Sequence, residues 1–195
     1  MGAMSSLATT WWQRVLHRDP TTEAKPHDTP PDVGHAVYLY GSDEELVERL
    51  ESYVTDGWAN GQRTILFAKH ERAKALRQRL SIWDLQDEVE IHDATWALEQ
   101  FVRDGEPRRD LFEQLVGDTL ARHVPGTVRL YGEMVAVLWH DGDTTAALEL
   151  EELWNGFLAE HDVPLLCAYP EHDLRGAEHH GAVCRAHDHV FPVAA

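Results

Sequence analysis

Histidine and cysteine crowd the end of this chain: His172, His179, His180, Cys184, His187 and His189 all fall between residues 172 and 189. Imidazole nitrogen and thiolate sulfur are good transition-metal ligands. If residues 179–188 are helical, His180, Cys184 and His187 stand at i, i+4 and i+7 on one face, a spacing that suits zinc, copper or haem iron. The pattern is neither a CxxC pair nor an HExxH, and Gly181 weakens the helix it needs. The plainer reading is a His-rich helix lying on the surface. Cys184 beside a protonated histidine would also be a redox-sensitive thiol.

A second concentration of chemistry is the turn Gly41-Ser42-Asp43-Glu44-Glu45, between an apolar run and a helix-period segment. Strand, turn, helix and second strand are spaced there as in a nucleotide-binding unit. A working phosphate loop, GxxxxGK[ST], surrounds phosphate with backbone N–H groups and neutralises it with lysine. Here the glycine is followed by acids, with neither the second glycine nor the lysine. Carboxylates occupy the helix N-terminus that would otherwise attract an anion. Ser42 and Glu45 also form the S-x-x-E of a capping box, which uses the helix's free donors internally. No ATP binding and no ATPase activity are expected.

Other groups are single. Glu133 follows a strand, where the carboxyl end of a parallel sheet opens to ligands, but an acid there also suits the N-terminus of the next helix. His35 precedes the first strand and reads as structural more than ligand-binding. Tyr40, Tyr131 and Tyr169 end three expected strands, so their rings would line a common crevice. Cys167, in the middle of an apolar strand, reads as an inert buried thiol. No Ser-His-Asp order, paired glycosidase carboxylates or GxGxxG is legible, so no catalytic residue is assigned.

The elements that must position these groups alternate along the chain. Strands are expected at 36–40, 64–68, 89–92, 127–131 and 165–169, and helices at 43–57, 71–80, 95–103, 110–123, 133–140 and 144–160. That alternation gives a parallel sheet flanked by helices. In the last helix Ala147, Leu150, Trp154 and Phe157 make the core-facing stripe, which leaves Glu149, Glu151 and Glu152 outside and makes Trp154 a packing residue. Residues 1–18 carry an amphipathic helical stripe that either folds back or docks a partner, 19–34 form a Pro-rich linker, and 35–195 form one domain.

The formal net charge is −17, from 34 acidic and 17 basic residues. It disfavours nucleic acid and anionic membranes as partners, although it equally suits plain solubility. Two cysteines, no signal-peptide core and no run of about 20 apolar residues lead to the expectation of a cytoplasmic protein without a membrane span.

Taken together, the turn GSDEE, GEMVAVLW at 132–139, AALELEELWN at 146–155, LLCAYP at 165–170 and VCRAHDHVFP at 183–192 resemble the MEDS family, the methanogen/methylotroph, DcmR sensory domain. The resemblance runs from His35 to about Pro192. It implies a RecA/KaiC-like fold without an intact Walker motif, used as a sensory or regulatory module for small carbon compounds. It places His35, Tyr40, Glu133, Trp154, Asn155, Cys167, Tyr169, Pro170 and His187 at positions of interest; His92-Asp93-Ala94 departs from the family's Leu-Asp-Ala. The ligand-binding set expected is His35, Tyr40, Glu133, Tyr131, Trp154 and Tyr169, with His180, Cys184 and His187 as a metal set. The first functional reading is a non-catalytic module that takes a small organic ligand and signals to a histidine kinase or transcription regulator. Beside it stand a metal- or haem-linked redox sensor or enzyme and a ligand-free adaptor docking through Trp11 and Trp12. A homodimer is expected by analogy with KaiC-like relatives.

Overall fold

Short β-branched and aromatic runs make the sheet, and each is followed by a segment of helical period that must cover one of its faces. The computed structural model describes residues 22–23 and 34–193. The expected helix over 1–18 and most of the 19–34 linker lie outside the described residues. In chain order the strands are β1 (Thr22–Glu23), β2 (His35–Tyr40), β3 (Arg63–Ala68), β4 (Val89–Asp93), β5 (Val102–Arg103), β6 (Glu106–Pro107), β7 (Val128–Gly132), β8 (Leu165–Pro170) and β9 (His189–Phe191). The helices are α1 (Asp43–Ala59), α2 (His70–Leu80), α3 (Ala94–Phe101), α4 (Arg109–Leu120), α5 (Met134–His140), α6 (Thr144–Glu160) and α7 (Ala177–Ala186).

The main sheet is parallel, in the order β1-β9-β2-β8-β7-β3-β4. It is a RecA-like α/β arrangement, with helices on both faces. Strand alternation sends Tyr38, Tyr40, Leu66, Tyr131 and Leu166 to one face, where Leu46, Leu50 and Tyr53 of α1 and Leu76 and Leu80 of α2 cover them. Val37, Phe67, Leu130, Cys167 and Tyr169 point to the other, beneath Phe101, Phe112, Trp139, Trp154 and Val183 of α3 to α7. No helix among the described residues is long and apolar enough to cross a membrane.

All five expected strands form, and the sheet gains β9 and β1 at the edge beyond β2. The strand β9 is only His-Val-Phe, too short to show a period by itself, yet Val190 packs into one core and Phe191 into the other. Helix α3 stops at Phe101 instead of running to 103. Asp104 and Gly105 both take positive φ, 53° and 84°, and turn β5 back onto β6 as an antiparallel hairpin. Asp-Gly is the pair best able to hold that turn.

Candidate functional site

Two clusters of buried ionisable groups lie on opposite faces of the sheet, apart from buried Arg129, which donates to Gln62 and to the Tyr53 carbonyl. Each cluster is centred on a fully buried glutamate.

On the α1/α2 face, β7 ends at Gly132 and delivers Glu133 beneath α2. The Glu133 side chain does not cap its own helix α5. Its Oε1 accepts from Arg72 Nε and Nη2 at 3.1 and 2.8 Å, and its Oε2 accepts from the Lys69 backbone N–H at 3.0 Å. Arg72, itself buried, also donates to Asp43 Oδ1 at 3.0 Å and to Tyr40 Oη at 3.3 Å, with its guanidinium over the Tyr40 ring. Burial and the neighbouring Glu133 and Asp43 charges hold the Tyr40 phenol well above its ordinary range, against the opposing pull of Arg72. The adjoining corner is closed by its own side chains. Ser42 Oγ accepts from Glu45 N–H at 3.2 Å, and the Glu45 carboxylate accepts from Gly41 N–H at 2.8 Å and Tyr38 O–H at 2.7 Å. The capping expected for Ser42 and Glu45 is therefore present. A surface groove between α1 and α2, lined in part by Val47, Ala75 and Ile82, shares Asp43 with this cluster.

On the other face lie His35, Glu151, Cys167 and His187, all buried, with one ligand-type atom of each within 4.8 Å of the others. They come from four elements. His35 opens β2, where Gly34 at φ 88° brings the chain so close to Asp188 that a Cβ would sit 2.9 Å from its Oδ2. Asp188 clamps that strand start by accepting from His35 N–H at 3.0 Å and donating its own N–H to His35 O at 2.7 Å. Cys167 is in β8, two residues along from the partner of His35 and so on the same face. Glu151 comes from α6, and His187 follows α7 in extended conformation.

Hydrogen bonds orient both imidazoles. Asn155 donates Nδ2 to Ala186 O at 3.0 Å, so its Oδ1 accepts from His35 Nδ1–H at 3.1 Å. His187 donates Nδ1–H to Val183 O at 2.7 Å. Both Nε2 atoms thus face the cluster. His35 Nε2 is 3.2 Å from Cys167 Sγ and 3.4 Å from Glu151 Oε2, and His187 Nε2 is 3.4 Å from Glu151 Oε1. The ring centroids are 4.1 Å apart. Tyr169 O–H donates to Glu151 Oε1 at 2.7 Å. Burial pushes the Glu151 carboxyl up to about 8, against the hydrogen bonds from Tyr169 and Cys167. Burial first, and then the Glu151 charge, hold the Cys167 thiol and the Tyr169 phenol above their ordinary values.

Residues 34–188 match the model of the MEDS family, described as the MEthanogen/methylotroph, DcmR Sensory domain. The chain belongs to the MEDS family. No curated protein sequence matches it. All four residues of the second cluster, and Glu133, Arg72 and Tyr40 of the first, lie within the matched span of this MEDS domain.

Several expectations change. The three strand-end tyrosines do not share one crevice: Tyr40 and Tyr131 face α1 and α2, whereas Tyr169 is on the opposite face at Glu151. The strand register decides this, because Tyr169 lies opposite Leu39, not Tyr40. The expected metal set also divides. His180 and Cys184 adjoin each other, with Sγ 3.5 Å from Nδ1, but α7 ends at Ala186 and the extended His187 turns inward to Glu151. Cys167 is buried as expected, yet it touches two ionisable groups. Glu151, expected outside, has 0 % exposure, because α6 is covered by α7 as well as by the sheet. Its signal was its face: Ala147, Glu151 and Asn155 follow at i, i+4 and i+8, beside the Leu150 and Trp154 row.

Trp154 packs edge-on against Phe112, with centroids 4.8 Å apart. Its Nε1 is buried without a hydrogen-bond partner among the described residues, as is Tyr131 Oη. Gly132 leaves room beside that indole. A Cβ there would meet Cys167 Sγ and Leu165 Cδ1 at 3.6 Å and Trp154 Cζ2 at 3.8 Å, all ordinary contacts.

Proposed function

We propose that this MEDS domain is a non-catalytic sensory module that takes a small organic ligand at the gap beside Gly132, between Trp154 and Cys167, and passes its occupancy to a regulatory protein. The observation that carries the reading is the buried Trp154 Nε1–H, which has no acceptor among the described residues. Such a donor costs about 1–3 kcal/mol unless something satisfies it. A ligand with one acceptor atom meets that donor, and Gly132, with room for about one methyl against Cys167, Leu165 and Trp154, admits a small apolar end as the side chains around it give way. The sensory character of the family supports the same direction. So does the opposite face, where Arg72 is already engaged by Glu133, Asp43 and Tyr40 and the helix corner is capped, so that neither is open to a triphosphate.

The mechanism is a population shift: a ligand that binds one packing more tightly favours it by its differential affinity. The output surface we favour is the short 3-10 turn after α2 (Ser81–Trp83), where Ile82 and Trp83 are 78 % and 59 % exposed and suit a partner such as a histidine kinase or transcription regulator.

A thermal-shift screen of small alcohols, aldehydes, amines and carboxylic acids tests this. At least one compound raises the melting temperature of the native chain and fails to do so for Gly132→Ala, whose methyl fills the gap while changing stability by less than about 1 kcal/mol. A screen in which no compound shifts the native protein, or in which Gly132→Ala responds equally, rejects the site. Magnesium-ATP, run in parallel, is expected to give no shift.

A further inference from the structure

We infer that His35, Glu151, Cys167 and His187 form a four-ligand site for a divalent transition-metal ion of the zinc type. This site is distinct from the His180–Cys184 pair on the surface of α7, and it does not depend on the small-ligand reading.

Geometry is the first support. Ligands about 2.1 Å from a tetrahedral ion stand about 3.4 Å apart. The edges His35 Nε2 to Cys167 Sγ, His35 Nε2 to Glu151 Oε2 and His187 Nε2 to Glu151 Oε1 are 3.2, 3.4 and 3.4 Å. Cys167 Sγ to Glu151 Oε2 is 3.9 Å, the two imidazoles meet different oxygens of the Glu151 carboxylate, and one ligand atom of each residue lies within 4.8 Å of all the others, so closing round an ion draws the widest of them together by up to about 1.4 Å.

The second support is orientation. A metal-ligating histidine commonly donates its other ring N–H to a carbonyl or amide oxygen, which fixes the tautomer and aims the free lone pair. His35 has Asn155 Oδ1 for this purpose and His187 has the Val183 carbonyl. Both assignments leave Nε2 as the coordinating atom. Asn155 is itself fixed through Ala186 O, in the segment that carries His187.

Charge is the third. Glu151 pairs with the two imidazoles and with no lysine or arginine among the described residues. A carboxylate and a thiolate with two neutral imidazoles total two negative charges, which a divalent cation cancels at the centre of the group. A fully buried site tolerates such charges only when they are neutralised. Two imidazoles and a sulfur select zinc, cobalt or nickel over magnesium or calcium, which prefer all-oxygen shells. On binding, the Cys167 thiol proton, and the proton on the Glu151 carboxyl where it is held, leave to solvent as the S–metal and O–metal bonds form. Four protein ligands fill the tetrahedron, so the ion is structural: it ties the start of β2 and the middle of β8 to α6 and the end of α7.

The test uses the full chain purified without a polyhistidine tag. Elemental analysis is expected to find zinc close to one ion per chain. Exchange into cobalt(II) is expected to give the intense visible bands of a tetrahedral ion together with a sulfur-to-cobalt charge-transfer band. Cys167→Ser loses the charge-transfer band, and Asn155→Ala weakens zinc binding roughly 10- to 100-fold. The double variant His180→Ala, Cys184→Ser, on the surface, retains both bands. A native chain that carries no ion and shows no cobalt spectrum overturns the assignment without needing any variant to fold. So does a cobalt spectrum that survives in Cys167→Ser and vanishes in the surface variant. Cys167 Sγ borders both the metal cluster and the space at Gly132, but the ion content and the cobalt spectrum are read without any organic ligand, and the ligand screen is read on the Gly132→Ala difference, so the two proposals fail separately.

Discussion

Glu133 and Glu151 are both wholly buried glutamates, on opposite faces of one sheet, and they have solved the same electrostatic problem in different ways. Glu133 is met by a fixed cation, with two hydrogen bonds from Arg72 and one from a backbone N–H. Glu151 is met by a phenol, a thiol and two imidazoles, none of which carries a permanent charge, and its carboxyl is pushed up to about 8. A carboxylate in low dielectric needs either a cation or a proton. The first cluster is complete as the chain folds. The second is balanced only by what reaches it, a proton or a metal ion.

The largest effect that could break this contrast is at Arg72. Arg72→Met leaves Glu133 buried without its cation and is expected to cost roughly 3–5 kcal/mol, read as the urea midpoint. Adding Glu133→Gln should recover most of that loss. A single variant of near-native stability would mean that the pair is not the closed unit described.

A smaller effect comes from Glu151 in chelator-treated protein. Its folded value lies above the ordinary one of 4.5, so between about 4.5 and about 8 the folded state holds the extra proton. Stability then falls as pH rises through that window, by at most about 1.4 kcal/mol per pH unit. Glu151→Gln removes this contribution to the slope, whereas Glu133→Gln in the Arg72→Met background does not. Parallel slopes in native and Glu151→Gln protein would remove the distinction between the two glutamates.

The smallest effect belongs to the capped corner beside the first cluster. Ser42→Ala is expected to cost about 1 kcal/mol in thermal or urea unfolding, from loss of the bond to Glu45 N–H. It should leave zinc content and the Gly132 ligand response unchanged. A variant that lost either would show that the two faces are coupled through the sheet.

Much of the frame was legible because it rests on local physics. Runs such as TILFA and LLCAY have the strand's apolar content, and the Ser42–Glu45 cap needs residues only three apart. Contacts across the sheet were less legible. Cys167 read as an inert thiol because a strand sequence does not say which helix will cover it, and Glu151 read as solvent-facing because its own helix shows one apolar stripe. The metal set drawn at helical spacing failed at His187 because the helix stopped at Ala186, where the chain goes extended towards β9.

By itself the sequence determined the alternation of strands and helices, the acidic turn without a phosphate-binding lysine, and the MEDS motifs in their order, since each depends on neighbours a few residues apart. Only the tertiary structure decided that residues 35, 151, 167 and 187 meet, and that Arg72 belongs to Glu133. Those meetings depend on strand order, register and the seating of α6 beneath α7, and these are set by burying two apolar faces at once, a property of the assembled sheet that no single segment carries.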